Sequence, residues 1–155
     1  MVADVDVRTE TVIRCPVDDV AAYAGDPANA PEWYANIRSV EWLTPPPVAV
    51  GSRMAFVASF LGRRLAYTYE VVEQEPGRLV MRTADGPFPM ETTYTWEATE
   101  EGATRMELRN RGRPSGFATL TAPVIAAAMR RANTADLARL RELLEARADP
   151  RAPSG

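Results

Sequence analysis

From residue 51 to residue 112 the chain runs as consecutive alternating segments separated by turn residues, and one long amphipathic segment follows to about Ala146. Alternation with period two predicts strands that bury one face, and apolar spacing of three and four predicts a helix. Strands in a block followed by a helix predict segregated α+β architecture, not alternating α/β. A helix laid across a curved antiparallel sheet can leave a cavity between the two layers. A pocketed container is therefore the first expectation.

Residues 5–14 predict an opening strand with Val5, Val7, Thr9, Thr11 and Ile13 on one side. Pro16, Asp18 and Asp19 then announce a short helix over 20–24, which Gly25, Asp26 and Pro27 stop. A second short helix is expected to carry Pro31, Glu32, Trp33 and Tyr34 and to end near Ile37. Residues 40–43 predict a strand that stops at Pro45, Pro46 and Pro47, which cannot donate to a ladder.

Gly51 restarts the sheet. Met54, Phe56, Ala58 and Phe60 share a face, as do Leu65, Tyr67, Tyr69 and Val71 beyond the turn at Leu61 and Gly62. Leu79, Met81 and Thr83 continue that face, and Met90, Thr92, Tyr94 and Trp96 give the clearest alternation in the chain. Thr104, Met106, Leu108 and Asn110 complete it, while Arg53, Arg82 and Arg109 point outward. The terminal helix is expected to start near Thr119 or Thr121, with Pro123 in its first turn and Pro150 closing it. Its apolar stripe collects Ile125, Met129, Ala132, Leu140, Leu143 and Leu144, and Asn133 and Asp136 project into that stripe. One domain over residues 1–148, with a flexible tail at 149–155, accounts for the whole length.

The chain contains no histidine and no lysine; all eighteen basic residues are arginine. A serine or cysteine nucleophile activated by histidine is thereby excluded, and so are a lysine Schiff base and a His/Cys zinc site. Proton transfer can fall only to Asp, Glu, Tyr, water or the single cysteine, Cys15. One cysteine leaves no intramolecular disulfide. A net charge of −3 gives no basis for nucleic-acid attraction. No apolar run is long enough to span a bilayer, and the first six residues lack a signal-peptide pattern, so a cytoplasmic monomer or homodimer is expected.

Strand, two short helices, a six-strand meander and a long helix, in that order, resemble the START-like (SRPBCC, Bet v 1-like) helix-grip superfamily. Within it the likeness is closest to the polyketide cyclase/dehydrase family. Carrying it are the stretch from Ile13 to Val20, Asp26 through Pro31, Glu32 and Trp33, and Tyr69-Glu70-Val71 ahead of Pro76-Gly77. Gly51, Gly86-Pro87-Phe88-Pro89 and Asp136-Leu137 add to it, so that it covers roughly residues 5–146. The resemblance implies a cavity between sheet and terminal helix. Ligands in the superfamily include lipids, sterols, isoprenoid quinones, plant hormones and polyketides; some members catalyse cyclisation or dehydration, and many only carry. The family's aromatic cyclases use inward arginine, tyrosine, tryptophan or histidine side chains. This chain departs from that pattern by its missing histidine and outward arginines.

Tyr67, Tyr69 and Tyr94 face inward on strands and either hold a ligand carbonyl or bond as core aromatics to backbone carbonyls. Tyr67, Tyr94 and Asp136 are the candidate acid–base groups. Asp136, if poorly solvated, would have a raised pKa; its structural alternative is to pair with an arginine such as Arg53 or to cap loop amides. Phe56, Met81, Thr92, Met129 and Asn133 are expected to line the cavity, with Trp33 and Tyr34 roofing its entrance or anchoring their helix. Met54, Met90 and Met106 are also expected to point inward. No cofactor or metal is called for, and the expected partner is a hydrophobic small molecule. Binding or carriage, polyketide cyclisation aided by Tyr or Asp, and a chaperone-cofactor type of protein interaction all stay open. The first two require a cavity above ~300 Å³, and the third a filled core with an exposed apolar patch.

Overall fold

The computed structural model describes residues 5–115 and 121–148. The proposed helix start at Thr119, the stop at Pro150 and the tail at 149–155 lie outside them. β1 (Val5–Ile13) is followed by α1 (Val17–Ala24), a 3₁₀ turn (Pro27–Asn29) and α2 (Ala30–Trp33). Six strands come next: β2 (Ile37–Trp42), β3 (Arg53–Phe60), β4 (Arg63–Glu75), β5 (Arg78–Asp85), β6 (Met90–Ala98) and β7 (Thr104–Gly112). α3 (Ala122–Ala148) closes the chain. All seven strands form one antiparallel sheet in the order β1-β7-β6-β5-β4-β3-β2. This is the α+β helix-grip fold: a curved sheet wrapped around a long helix.

The inward faces follow the expected phasing. Met54, Phe56, Leu65, Tyr69, Val71, Leu79, Met81, Tyr94, Met106 and Leu108 are buried. Two register shifts between β4 and β5, one leaving Ala84 of β5 unpaired and one leaving Val72 of β4 unpaired, bend the sheet. The β3–β4 hairpin closes through Leu61 and Gly62 at φ 51° and 76°, the left-handed pair that a two-residue turn of matching twist demands.

Three boundaries differ from expectation. α1 starts at Val17, earlier than residue 20, because Val20 already donates to the Pro16 carbonyl. α2 ends at Trp33, short of Ile37, since Tyr34 turns extended (φ −84°, ψ 119°) and Ile37 already belongs to β2. α3 runs to Ala148, and its buried line includes Leu137, which the stripe omitted; Leu143 is only half-buried. Pro123 sits in the first turn, where its missing N–H costs nothing.

α3 is tied down at two levels. At its C-terminal end Glu145 accepts from the Arg14 backbone N–H at 2.9 Å, and the Cys15 thiol donates to the Leu144 carbonyl at 3.4 Å. Midway along, Asp136 Oδ1 accepts from the Ala35 backbone N–H at 3.1 Å. Apolar packing divides into two clusters. The larger holds Ile13, Trp33, Met54, Val71, Leu79, Met106, Leu137 and Leu140, and the smaller holds Val5, Val7, Leu65, Phe88 and Ile125. Between the clusters, residues of the sheet and α3 surround an open space.

Candidate functional site

That gap is a cavity. Phe56, Tyr69, Met81 and Tyr94 line it from the larger cluster, and Val5, Leu65, Phe88 and Ile125 from the smaller. Its volume is about 130 Å³. That is smaller than the ~300–1,000 Å³ of small-molecule sites, so the expected volume is not reached, although the lining is that of a ligand chamber.

Strand alternation delivers the aromatic wall. Phe56 of β3 stacks on Tyr67 of β4, its register partner, at 5.4 Å between ring centroids, and Tyr67 meets Tyr69 edge-on at 5.0 Å. Among the described residues the Tyr67 hydroxyl has no hydrogen-bond partner, so it is open to the cavity that it lines. Thr92 of β6 donates to Asn110 Oδ1 of β7 at 2.6 Å, which leaves the Tyr69 hydroxyl to donate to Thr92 at 2.7 Å. Met90 and Met129 line the wall as well, whereas Met54 and Met106 are core.

The polar side of the cavity is built where α2, β2, β6 and α3 converge. The extended turn after α2 brings the Tyr34 hydroxyl to 2.7 Å from that of Tyr94. Burial, followed by the neighbouring Tyr94, raises the Tyr34 pKa well above a phenol's usual value. Burial likewise raises Tyr67, Tyr69 and Tyr94, so all four stay protonated donors near neutrality. Asp136 is 3% exposed, and burial pushes its carboxyl up to about 6 against the opposing pull of the Ala35 amide. Its partner is thus a loop amide; Arg53 instead pairs with Glu70 at 2.9 Å on the outer surface. Asn133, 5% exposed and one helical turn before Asp136, has no partner for Nδ2 among the described residues, although it lines the cavity. A buried amide donor in that position calls for an acceptor.

Of the residues picked from sequence, Tyr34, Phe56, Tyr67, Tyr69, Met81, Thr92, Tyr94, Met129, Asn133 and Asp136 come together around this one space. Trp33 is placed differently. It is 1% exposed and lies behind Tyr34, with ring centroids 4.0 Å apart, outside the lining. Asn110, Asn36 and Arg111 also line the cavity and were not singled out as site residues. Asn110 carried a readable signal, a polar residue in phase with inward Met106 and Leu108. Asn36 follows an irregular turn and carried none. Among the described residues no three acidic or thiol side chains converge on a point where a metal would sit.

The family model described as polyketide cyclase/dehydrase and lipid transport matches residues 4–145. The chain belongs to that family. No curated protein sequence matches it. TTHA0849 from Thermus thermophilus superposes with a TM-score of 0.79 at 21% identity, covering 93% of this chain and 99% of that one. The Zhui aromatase/cyclase from a Streptomyces species superposes at 0.77 with 16% identity, covering 98% and 100%. A START superfamily protein from Mycobacterium smegmatis gives 0.69 at 13% identity, covering 92% and 95%. At these identities the superpositions establish the shared fold. No helix among the described residues is long and apolar enough to cross a membrane.

Proposed function

We propose that this protein binds a hydrophobic small molecule, of polyketide, lipid or isoprenoid type, in the cavity between the sheet and α3. The observation that carries the reading is the unpartnered Asn133 Nδ2 and the Tyr34–Tyr94 pair in the lining of one cavity otherwise walled by Phe56, Tyr67, Met81 and Met129. Such a lining suits an apolar body with a carbonyl or other acceptor at one point. A protein-interaction role draws less support, because the exposed large apolar residues Val12, Leu43, Val50, Leu61 and Val124 are scattered from β1 to α3. The test is thermal unfolding against fatty acids, sterols, isoprenoid quinones and aromatic polyketides. A ligand at ~100 times its dissociation constant adds about 2.7 kcal/mol, a Tm rise of roughly 5–10 °C for a chain of this size. No shift with any of the four classes would overturn the reading.

The titration of Asp136 favours a second, narrower reading, cyclisation of a reactive carbonyl chain. A carboxyl near pH 6 can take a proton from carbon between two carbonyls, while the Tyr94 or Tyr67 hydroxyl bonds the resulting enolate oxygen. Turnover unchanged in Asp136→Asn, Tyr94→Phe and Tyr67→Phe would leave only binding.

A further inference from the structure

The register of β5, β6 and β7 sets Arg82, Glu91 and Arg111 in one row across the sheet. Arg82 Nε donates to Glu91 Oε2 at 2.6 Å, and Arg111 Nη2 donates to Glu91 Oε1 at 2.8 Å. The ion pairs Arg14–Glu145, Arg53–Glu70, Arg78–Glu73 and Arg109–Asp6 are one to one. Here a single carboxylate serves two guanidiniums, and the trio keeps one net positive charge. The nearby Asp6 does not cancel it, because Arg109 holds both its oxygens, at 2.9 and 2.6 Å.

The place of this charge is what matters. Arg82, Glu91 and Arg111 wall a basin at the ends of β1, β6 and β7, and Val5, Met90, Arg111 and Gly112 line both that basin and the cavity. Arg111 is thus common to both linings, with its guanidinium held by Glu91 in the charged row. A guanidinium has five donors in a planar fork suited to an oxyanion, and the Glu91 contact occupies only one Nη of Arg111. Such a group at the edge of an apolar chamber selects a ligand with a negative end.

We propose that the basin is a subsite for the anionic group, carboxylate or sulfonate, of an amphipathic ligand whose apolar body fills the cavity. This inference rests on the binding function proposed above. It is tested with two fluorescent probes, 8-anilinonaphthalene-1-sulfonate and N-phenyl-1-naphthylamine, which share one apolar body and differ by the sulfonate. The full chain should bind the sulfonate about 10-fold more tightly at low salt, as a charge-assisted contact at a partly exposed site allows. Arg82→Gln, at a residue of the basin that does not line the cavity, leaves the trio neutral and should remove that advantage while holding the neutral probe within about two-fold, which also reports an intact cavity; about 0.5 M sodium chloride should shrink it in the parent chain. Equal binding of the two probes by the parent chain, or a sulfonate preference that survives in Arg82→Gln, overturns the subsite and leaves the cavity reading standing. If neither probe binds, the cavity reading fails and takes the subsite with it.

Discussion

Replacing Asp136 with asparagine isolates the energetic consequence of a buried carboxyl. In the folded chain this group titrates at about 6 against an ordinary 3.8. A raised carboxyl pKa means that the folded state resists ionisation. Its contribution is fully favourable only below the unfolded value, declines as pH rises through 3.8, and levels off above 6. The gap of roughly two pKa units corresponds to about 3 kcal/mol at about 1.36 kcal/mol per unit, as an order of magnitude. The asparagine side chain would be neutral throughout and can still accept the Ala35 N–H. Asp136→Asn should therefore match the parent chain near pH 3.5 and exceed it increasingly up to about pH 7.5. Between about pH 4 and pH 7.5 its advantage should widen by about 2 kcal/mol, or roughly 4–8 °C in Tm. Urea unfolding of both chains at half-unit pH steps measures this. Asp6, Glu91 and Glu145, whose arginine contacts hold them low, lose stability as pH falls, but they do so in both chains and cancel in the difference. Parallel pH curves for the two chains would refute the idea that Asp136 bears a desolvation cost.

Two further substitutions probe the same chamber. Asn133→Leu removes a buried donor with no partner and replaces it with an apolar group of similar size, so urea unfolding should show about 1 kcal/mol of added stability. The same variant should weaken any ligand whose carbonyl bonds Asn133 by about 10-fold in a titration. Gly86→Ala places a methyl 2.8 Å from the Tyr67 Cβ, at a backbone φ of 156° that side chains rarely adopt; thermal unfolding should show a loss of about 2 kcal/mol.

Period-two patterning made the inward face of the sheet legible, down to Thr92 and Asn110, because a strand has only two sides and a buried side must be mostly apolar. Asn133 and Asp136 were legible for a related reason: polar residues inside a helical apolar stripe need a partner. The partners themselves were not. Asp136 meets Ala35 across 101 residues, and Tyr34 meets Tyr94 across 60. Both contacts depend on the chain leaving α2 at Trp33, where local apolar content would have carried the helix further. Trp33 shows the converse: an aromatic beside a mouth-forming turn was equally consistent with lining or core, and its full burial against the Tyr34 ring decides for the core. The double use of Glu91 depends on strand register, which alternation alone does not fix.

The absence of lysine acquires a meaning once the chamber is in view. The wall offers phenols, amides, a serine and a threonine, one carboxyl and one permanently protonated guanidinium, but no side-chain amine or thiol. The lone sulfhydryl, Cys15, lies outside it at the far end of α3, with burial raising its pKa and its proton on the Leu144 carbonyl. An aldehyde, a β-diketone or a quinone lodged in the chamber meets no group able to form an imine or a thioether with it. For an electrophilic guest, this is a vessel without an amine or thiol trap.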